Sequence, residues 1–375
     1  MMVFVGKREG ALAAAQRLGV DVVLVVERAP RRTPPAVRAV VEGAFANDDW
    51  SGIARRVRTF GDVEGVLALT ESAVVPAARL RQSLALPGLQ PDAARACTDK
   101  AMMKRVVAAA GLSCARFVTA GDGLVAADVV ARLGLPLIVK PARSSGGRGV
   151  HRIDAPAELP SMLPADCLAE SFIHGVEMSV ESLVRDGMPV FVNLTEYFEP
   201  RWANLIPAAL AEAQREALLE LNARAIRALG IDRGITHVEA FCTPEGFRFG
   251  ELAARPPGGH LMELIEVVYG FDPWVSCIEL ERARPIVAPQ AARCCAGVRV
   301  LHPGAGTVAR ISGLEQIEAL PQRARVVCRA QPGDVISERV GAGQEVGYVI
   351  FKAAEREDVA RALYAARERI RFELR

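Results

Sequence analysis

The chain has 375 residues, 51% hydrophobic and 24% charged, with a net charge of +2 at neutral pH. That length suits two or three globular domains, and the composition excludes a disordered chain. No apolar run approaches the eighteen residues of a membrane span, and the clusters Arg31-Arg32 and Arg55-Arg56 lack the aromatic interleaving of a nucleic-acid groove, so neither membrane nor nucleic acid is an expected partner.

Residues 3–5 are apolar, a helical pattern follows through Ala11, Leu12, Ala15 and Leu18, and 22–26 is almost entirely β-branched. A later strand at 65–69 and a helix over 73–84 continue the series. This βαβ opening predicts a buried parallel sheet, closed by Leu86-Pro87-Gly88 in a first domain spanning 1–91. Thr98 is expected to cap a helix that starts at Asp99-Lys100 and stops at Gly111.

Strand 135–140 ends on Lys140. A loop, Pro141-Ala142-Arg143-Ser144-Ser145-Gly146-Gly147-Arg148-Gly149, separates it from a strand at 150–153. A glycine loop between two strands is not a Walker loop, which opens a helix. Backbone N–H groups freed by Gly146, Gly147 and Gly149 can still bind an anion, and Lys140 adds a point charge; the alternative is a flexible hairpin tip. Residues 167–181 read as a strand pair broken at Gly175, 186–207 as irregular, and 207–229 as a long amphipathic helix.

His237-Val238-Glu239 and the run 247–252 flank Thr243-Pro244-Glu245-Gly246, the signature of a β-hairpin. A turn centred on Glu245 sets Glu239 opposite Glu251. Two like charges about 5 Å apart at Cβ are destabilising, so a hard cation such as Mg²⁺ is expected between them. The alternative leaves one carboxylate solvated, or paired with Arg255 or Arg248. Gly258, Gly259 and His260 follow, His260 as a weaker candidate for substrate contact and His237 weaker still. From 296 the chain reads as β-rich with a solvated final helix over 357–371; Gly304-Ala305-Gly306 and Gly341-Ala342-Gly343 read as plain turns. The eight cysteines form no CxxC pair and read as reduced, mostly buried hydrophobes. With a five-residue apolar start, too short for a signal-peptide core, they point to the cytoplasm.

Taken in order, Leu86-Pro87-Gly88, Asp99-Lys100, the 135–141 strand, the Ser/Gly loop, the segment Glu170-Ser171-Phe172-Ile173-His174-Gly175-Val176-Glu177 and the Glu/Arg hairpin resemble the ATP-grasp superfamily over essentially the whole chain. The resemblance implies an α/β ATP-grasp fold with an N-terminal Rossmann-like pre-ATP-grasp domain and a β-rich C-terminal subdomain. Its divisions would be 1–91, a linker-helix and lid subdomain at 92–185, a metal-bearing core at 186–295, and 296–375. It also implies ATP with Mg²⁺, or Mn²⁺ in its place. Lys100 and Lys140 would contact phosphates under a lid formed by 144–149. Residues Glu170, Ser171, Phe172 and Ile173 would pair the adenine edge, Glu177 the ribose hydroxyls, and Glu239 and Glu251 the metal. The family usually has an asparagine two residues after the second carboxylate; Ala253 stands here, which puts a second metal in doubt.

The tail from 296 and the Glu251-x-x-x-Arg255-Pro-Pro-Gly-Gly core look like the L-amino-acid ligase branch of carboxylate–amine ligases. Such an enzyme joins a small carboxylate and an amine into a dipeptide-like amide, through an acyl phosphate with release of ADP and phosphate. Arg255 would be the catalytic cation, with Gly258 and Gly259 as oxyanion donors and segment 186–207 (Glu196, Arg201, Trp202) bordering the substrate. A homodimer is compatible with this reading. The rivals are a bicarbonate- or formate-activating enzyme of the biotin carboxylase or purine-biosynthesis kind, and a nucleotide-binding protein without catalysis.

Overall fold

The computed structural model describes every residue except 47, 48 and 287. Strands Met2–Val5, Val22–Val26 and Gly65–Ala68 are buried at every position and pair in parallel, as their unbroken apolar runs require. An edge strand, Val37–Glu42, joins beside Val22–Val26, and helix Trp50–Arg58 follows. Neither was read from the sequence. Arg55, Arg56 and Arg58 masked the helix, yet Trp50, Ile53, Ala54 and Val57 form a buried stripe at helical spacing.

Helix Pro91–Thr98 precedes helix Lys100–Ala109, and the cap is Asp99, which accepts from the Ala101 and Met102 amides. Thr98 instead ends the first helix, its hydroxyl donating back to the Ala94 and Arg95 carbonyls. A four-stranded antiparallel sheet follows in the order Phe117–Thr119, Cys167–Ser171, Leu137–Pro141, His151–Ile153.

The largest sheet is antiparallel and eight-stranded. Its order is Gly246–Ala253, Gly234–Thr243, Val176–Arg185, Met188–Glu199, Ala203–Ile206, Cys295–Leu301, Gly347–Ala353, Arg323–Cys328. The segments on either side of Gly175 therefore belong to different sheets and are not a pair. Residues 186–207 are not irregular but supply two strands. Their alternation is obscured because Asn193 and Thr195 face inward, both bonded to the buried Glu181. The divisions at 185/186 and 295/296 cut the chain but not this sheet.

The long helix spans Glu212–Ala228, five residues later than its apolar pattern suggests. The last helix, Arg356–Arg369, is not fully solvated: Val359, Ala362, Leu363 and Ala366 are buried against the strands Cys295–Leu301 and Gly347–Ala353. It leads into Arg371–Leu374, part of a small three-stranded sheet. All eight cysteines are free, but only Cys97 and Cys277 are fully buried. No helix among the described residues is long and apolar enough to cross a membrane.

Candidate active site

A cavity of about 500 Å³ is walled by the four-stranded and eight-stranded sheets, helix Lys100–Ala109 and the glycine loop. On its floor Glu239 stands directly opposite Glu251. Two devices set that register. Thr243 pairs with Gly246, so only Pro244 and Glu245 close the hairpin, a loop that alone would bring Gly250 opposite Glu239; Gly250 then acts as a bulge residue and advances Glu251 into place. A Cβ at Gly250 would lie 3.0 Å from the Glu239 carbonyl oxygen.

Burial pushes the Glu251 carboxyl up; Lys100, 3.2 Å away, opposes this and the Glu239 charge adds to it. Burial and Glu239 push the neighbouring Glu177 up to about 8. Glu239 is equally buried but stays below the ordinary carboxylate range because His237, Lys140 and Lys100 hold its charge. Carboxylates competing for too few cations suit a hard divalent ion. Among the described residues no three His, Cys, Asp or Glu side chains surround one point. An ion here must complete its shell from phosphate or water, which is the habit of Mg²⁺.

His237 has a larger part than its sequence position suggested. Its Nδ1 lies 2.9 Å from Glu181 and its Nε2 3.4 Å from Glu239, while the Tyr197 hydroxyl donates to Glu239 at 3.4 Å. Despite burial, the Glu181 and Glu239 carboxylates raise His237 to about 9. Glu181 is fixed in turn by Ser179, Asn193 and Thr195. The chain Glu181–His237–Glu239 orients one carboxylate as an outer shell orients a metal ligand.

At the cavity's other side Lys100 donates to the Ser144 carbonyl at 2.6 Å, tying helix to loop. Lys140 and Lys104 flank Glu170 at 2.5 and 2.7 Å. Lys104 was not singled out from the sequence, although it sits one turn beyond Lys100 on the same helix face. Ser144, Ser145, Gly146 and Gly147 line the cavity, and Gly146 and Gly147 adopt the left-handed conformation (φ 66° and 74°) that frees their amides. Gly149 does not line it; a Cβ there would meet Pro141 at 2.9 Å, so its role is close backbone packing.

Glu170, Ser171, Phe172, Ile173 and Glu177 all reach the cavity. The Ser171 and Phe172 amides are already bonded to the Arg116 and Pro136 carbonyls, so these two donors are not free for a base edge. Arg255 also lines the cavity, but its carboxylate partner is neither Glu251 nor solvent. Its Nε donates to Glu71 of the N-terminal domain at 2.8 Å. Gly258 and Gly259 face the cavity; His260 does not. It stacks on Tyr348 with ring centroids 3.7 Å apart and bridges Glu263 and Glu345 behind the cavity wall.

The turn Gly341-Ala342-Gly343 is more than a turn. The Ala342 amide donates to the Gly146 carbonyl at 3.0 Å, and Ala342 and Glu345 complete the cavity wall beside the glycine loop. No local pattern announces a contact made across nearly two hundred residues.

Family models match in succession along the chain: an ATP-grasp N-terminal domain at 12–88, an ATP-grasp domain at 105–262, and an L-amino acid ligase C-terminal domain 2 at 299–375. The chain is 30% identical to a D-alanine–D-alanine ligase of Aromatoleum aromaticum over 60% of its own length and 74% of that protein's. The chain belongs to the ATP-grasp superfamily. Within it, this is an ATP-dependent carboxylate–amine ligase. It is 25% identical to the L-arginine-specific L-amino acid ligase of Bacillus subtilis, covering 78% of this chain and 75% of that one. An L-amino acid ligase from Bacillus licheniformis superposes with a TM-score of 0.81 over 100% of this chain and 98% of its own, at 22% identity, a likeness of fold.

For an ATP-grasp enzyme, Lys140→Ala should weaken MgATP by about 10- to 100-fold, the value of a lost hydrogen bond to charge, and adenosine by much less. Lys104 still neutralises Glu170 in the variant. Calorimetric titration with both ligands checks this; equal losses would place Lys140 away from the phosphates.

Proposed function

We propose that the enzyme phosphorylates a substrate carboxylate with ATP and passes the acyl group to an amine, giving a dipeptide-like amide. The reading rests on one observation: Lys100, Lys140, the glycine loop, Glu239, Glu251 and Arg255 face a single cavity. A carboxylate oxygen bonds to the γ-phosphorus as the bond to ADP breaks. The amine nitrogen then bonds to the acyl carbon, phosphate departs with the electron pair, and the amine loses a proton.

In this assignment Lys100, Lys140 and the Gly146 and Gly147 amides hold phosphate oxygens. Phe172 and Ile173 border the base and Glu177 the ribose. Glu239 and Glu251 would hold Mg²⁺, with Mn²⁺ acceptable in its place, supplying charge neutralisation to the phosphates. Ala253 has no ligating atom, so a single protein-held ion is the economical arrangement. Arg255, forked and always protonated, faces the transferring phosphoryl group, and the Gly258 and Gly259 amides the acyl oxygen. Eight free cysteines support a reducing, cytoplasmic setting.

The decisive measurement is product analysis with amino-acid pairs as acid and amine. ADP and phosphate should appear in equal amounts with the amide. AMP and pyrophosphate would refute the mechanism, and ADP release driven by bicarbonate instead of an amine would redirect it.

A further inference from the structure

The cavity is also lined by two arginines without counter-ions among the described residues. Arg339 lies with its guanidinium carbon 4.7 Å from the centroid of the Trp202 ring. Its Nε is buried and has no hydrogen-bond partner, and among the described residues no carboxylate comes within ion-pair distance. Arg201 faces the same cavity from a left-handed turn position, φ 71°, and is likewise unpaired. The nearby Glu345 is already engaged by His260 and by the Gly343 amide at 2.9 Å. Burial lowers the Arg339 pKa; Glu345 opposes that and the Arg201 charge adds to it. A guanidinium does not give up its proton at neutral pH, so an exposed Arg201 and a half-buried Arg339 present two unpaired cations to an anionic group entering the cavity.

Sheet register says which anion. Glu239 shares a row with Ser179 and Thr195, and the Glu196–Leu205 pairing extends that row to Ile206. Trp202 is three strands and four residues from Glu239. At ~4.8 Å per strand and ~3.3 Å per residue the separation is on the order of 15–20 Å. The Trp202 end of the cavity is therefore set apart along the sheet from the metal carboxylates, and is the place for an anion other than the phosphates bound there.

We propose that Arg339, with Arg201, binds the free carboxylate of the amine substrate, which makes that substrate an amino acid or a peptide with an open C-terminus. This rests on the ligase reading of the cavity. Arg339 provides a planar fork that matches a carboxylate and is pre-set by stacking on Trp202. Val298, Val300 and Leu261 offer apolar wall for the side chain.

The test titrates the wild type, Arg339→Gln, Arg339→Lys and Arg201→Gln, each with MgADP present, with the standard L-amino acids and with their carboxamides, and measures phosphate release from MgATP in parallel. At least one amino acid should bind about tenfold or more tighter than its carboxamide, as a charge-assisted bond requires. Arg339→Gln should abolish that preference, Arg339→Lys retain part of it, and Arg201→Gln reduce it, all with unchanged ADP affinity. A fall in ADP affinity in Arg339→Gln alone would mark misfolding, and the Lys and Arg201 variants then decide. Carboxamides binding as well as acids, an intact preference in the arginine variants, or no amino acid bound would overturn the proposal. A preserved carboxylate preference without any phosphate release would instead refute the ligase reading and leave this subsite standing.

Discussion

Glu251→Gln should reduce turnover with MgATP by roughly a thousandfold while the fold survives. Glutamine keeps the shape of the side chain but removes the charge that a divalent ion needs, and metal stabilisation of transferring phosphate is worth several kcal/mol, about 4 for a thousandfold. The unliganded protein loses little. Glu251 is pushed up by burial and by the Glu239 charge directly across the hairpin, so neutralising it relieves a cross-strand repulsion. Lys100 loses an ion pair but keeps its bond to the Ser144 carbonyl. The expected pattern is a melting temperature within a few degrees of wild type, loss of the stabilisation conferred by MgATP, and collapse of kcat. Near-normal kcat with intact MgATP stabilisation would remove the hairpin from the metal site.

The parts of this site that were legible in the sequence are those whose chemistry is local. A glycine run between two strands must free its amides wherever the strands lie, and a Glu–x11–Glu spacing around a Pro/Gly turn confronts two carboxylates within one hairpin. Even there the register came out right through a bulge at Gly250 that the spacing did not reveal. Contacts between distant segments stayed hidden. Glu71 reaches Arg255 across 184 positions, Ala342 reaches Gly146, and Arg339 stacks on Trp202. The hidden strand 188–199 has a different cause: its inward residues are polar because they serve Glu181, so apolar alternation, the usual signal of a strand, is absent where the network behind His237 is built.

Arg255→Lys should lower kcat by roughly a hundredfold, with little change in ATP affinity, if the guanidinium stabilises charge that develops only as the phosphoryl and acyl groups transfer. Lysine keeps a cation but loses the planar fork. The competing explanation is a brace, since Arg255 joins the core to the N-terminal domain through Glu71 at 2.8 Å. Glu71→Gln separates them. It cuts the ion pair yet leaves the guanidinium in the cavity, still donating to the Pro256 carbonyl at 2.9 Å. If bracing were the whole role, both variants would lower the melting temperature alike, and kcat would follow the folded fraction in each. If Arg255 acts on the reacting groups, Arg255→Lys loses kcat while remaining folded at the assay temperature, and Glu71→Gln loses far less. Equal kcat losses in the two variants, or a stable Arg255→Lys with wild-type turnover, would take Arg255 out of the chemistry. The comparison is clean because the ion pair holds the Nε side of the guanidinium on Glu71, so the bond that orients the arginine and the face that would meet substrate belong to different atoms of one side chain.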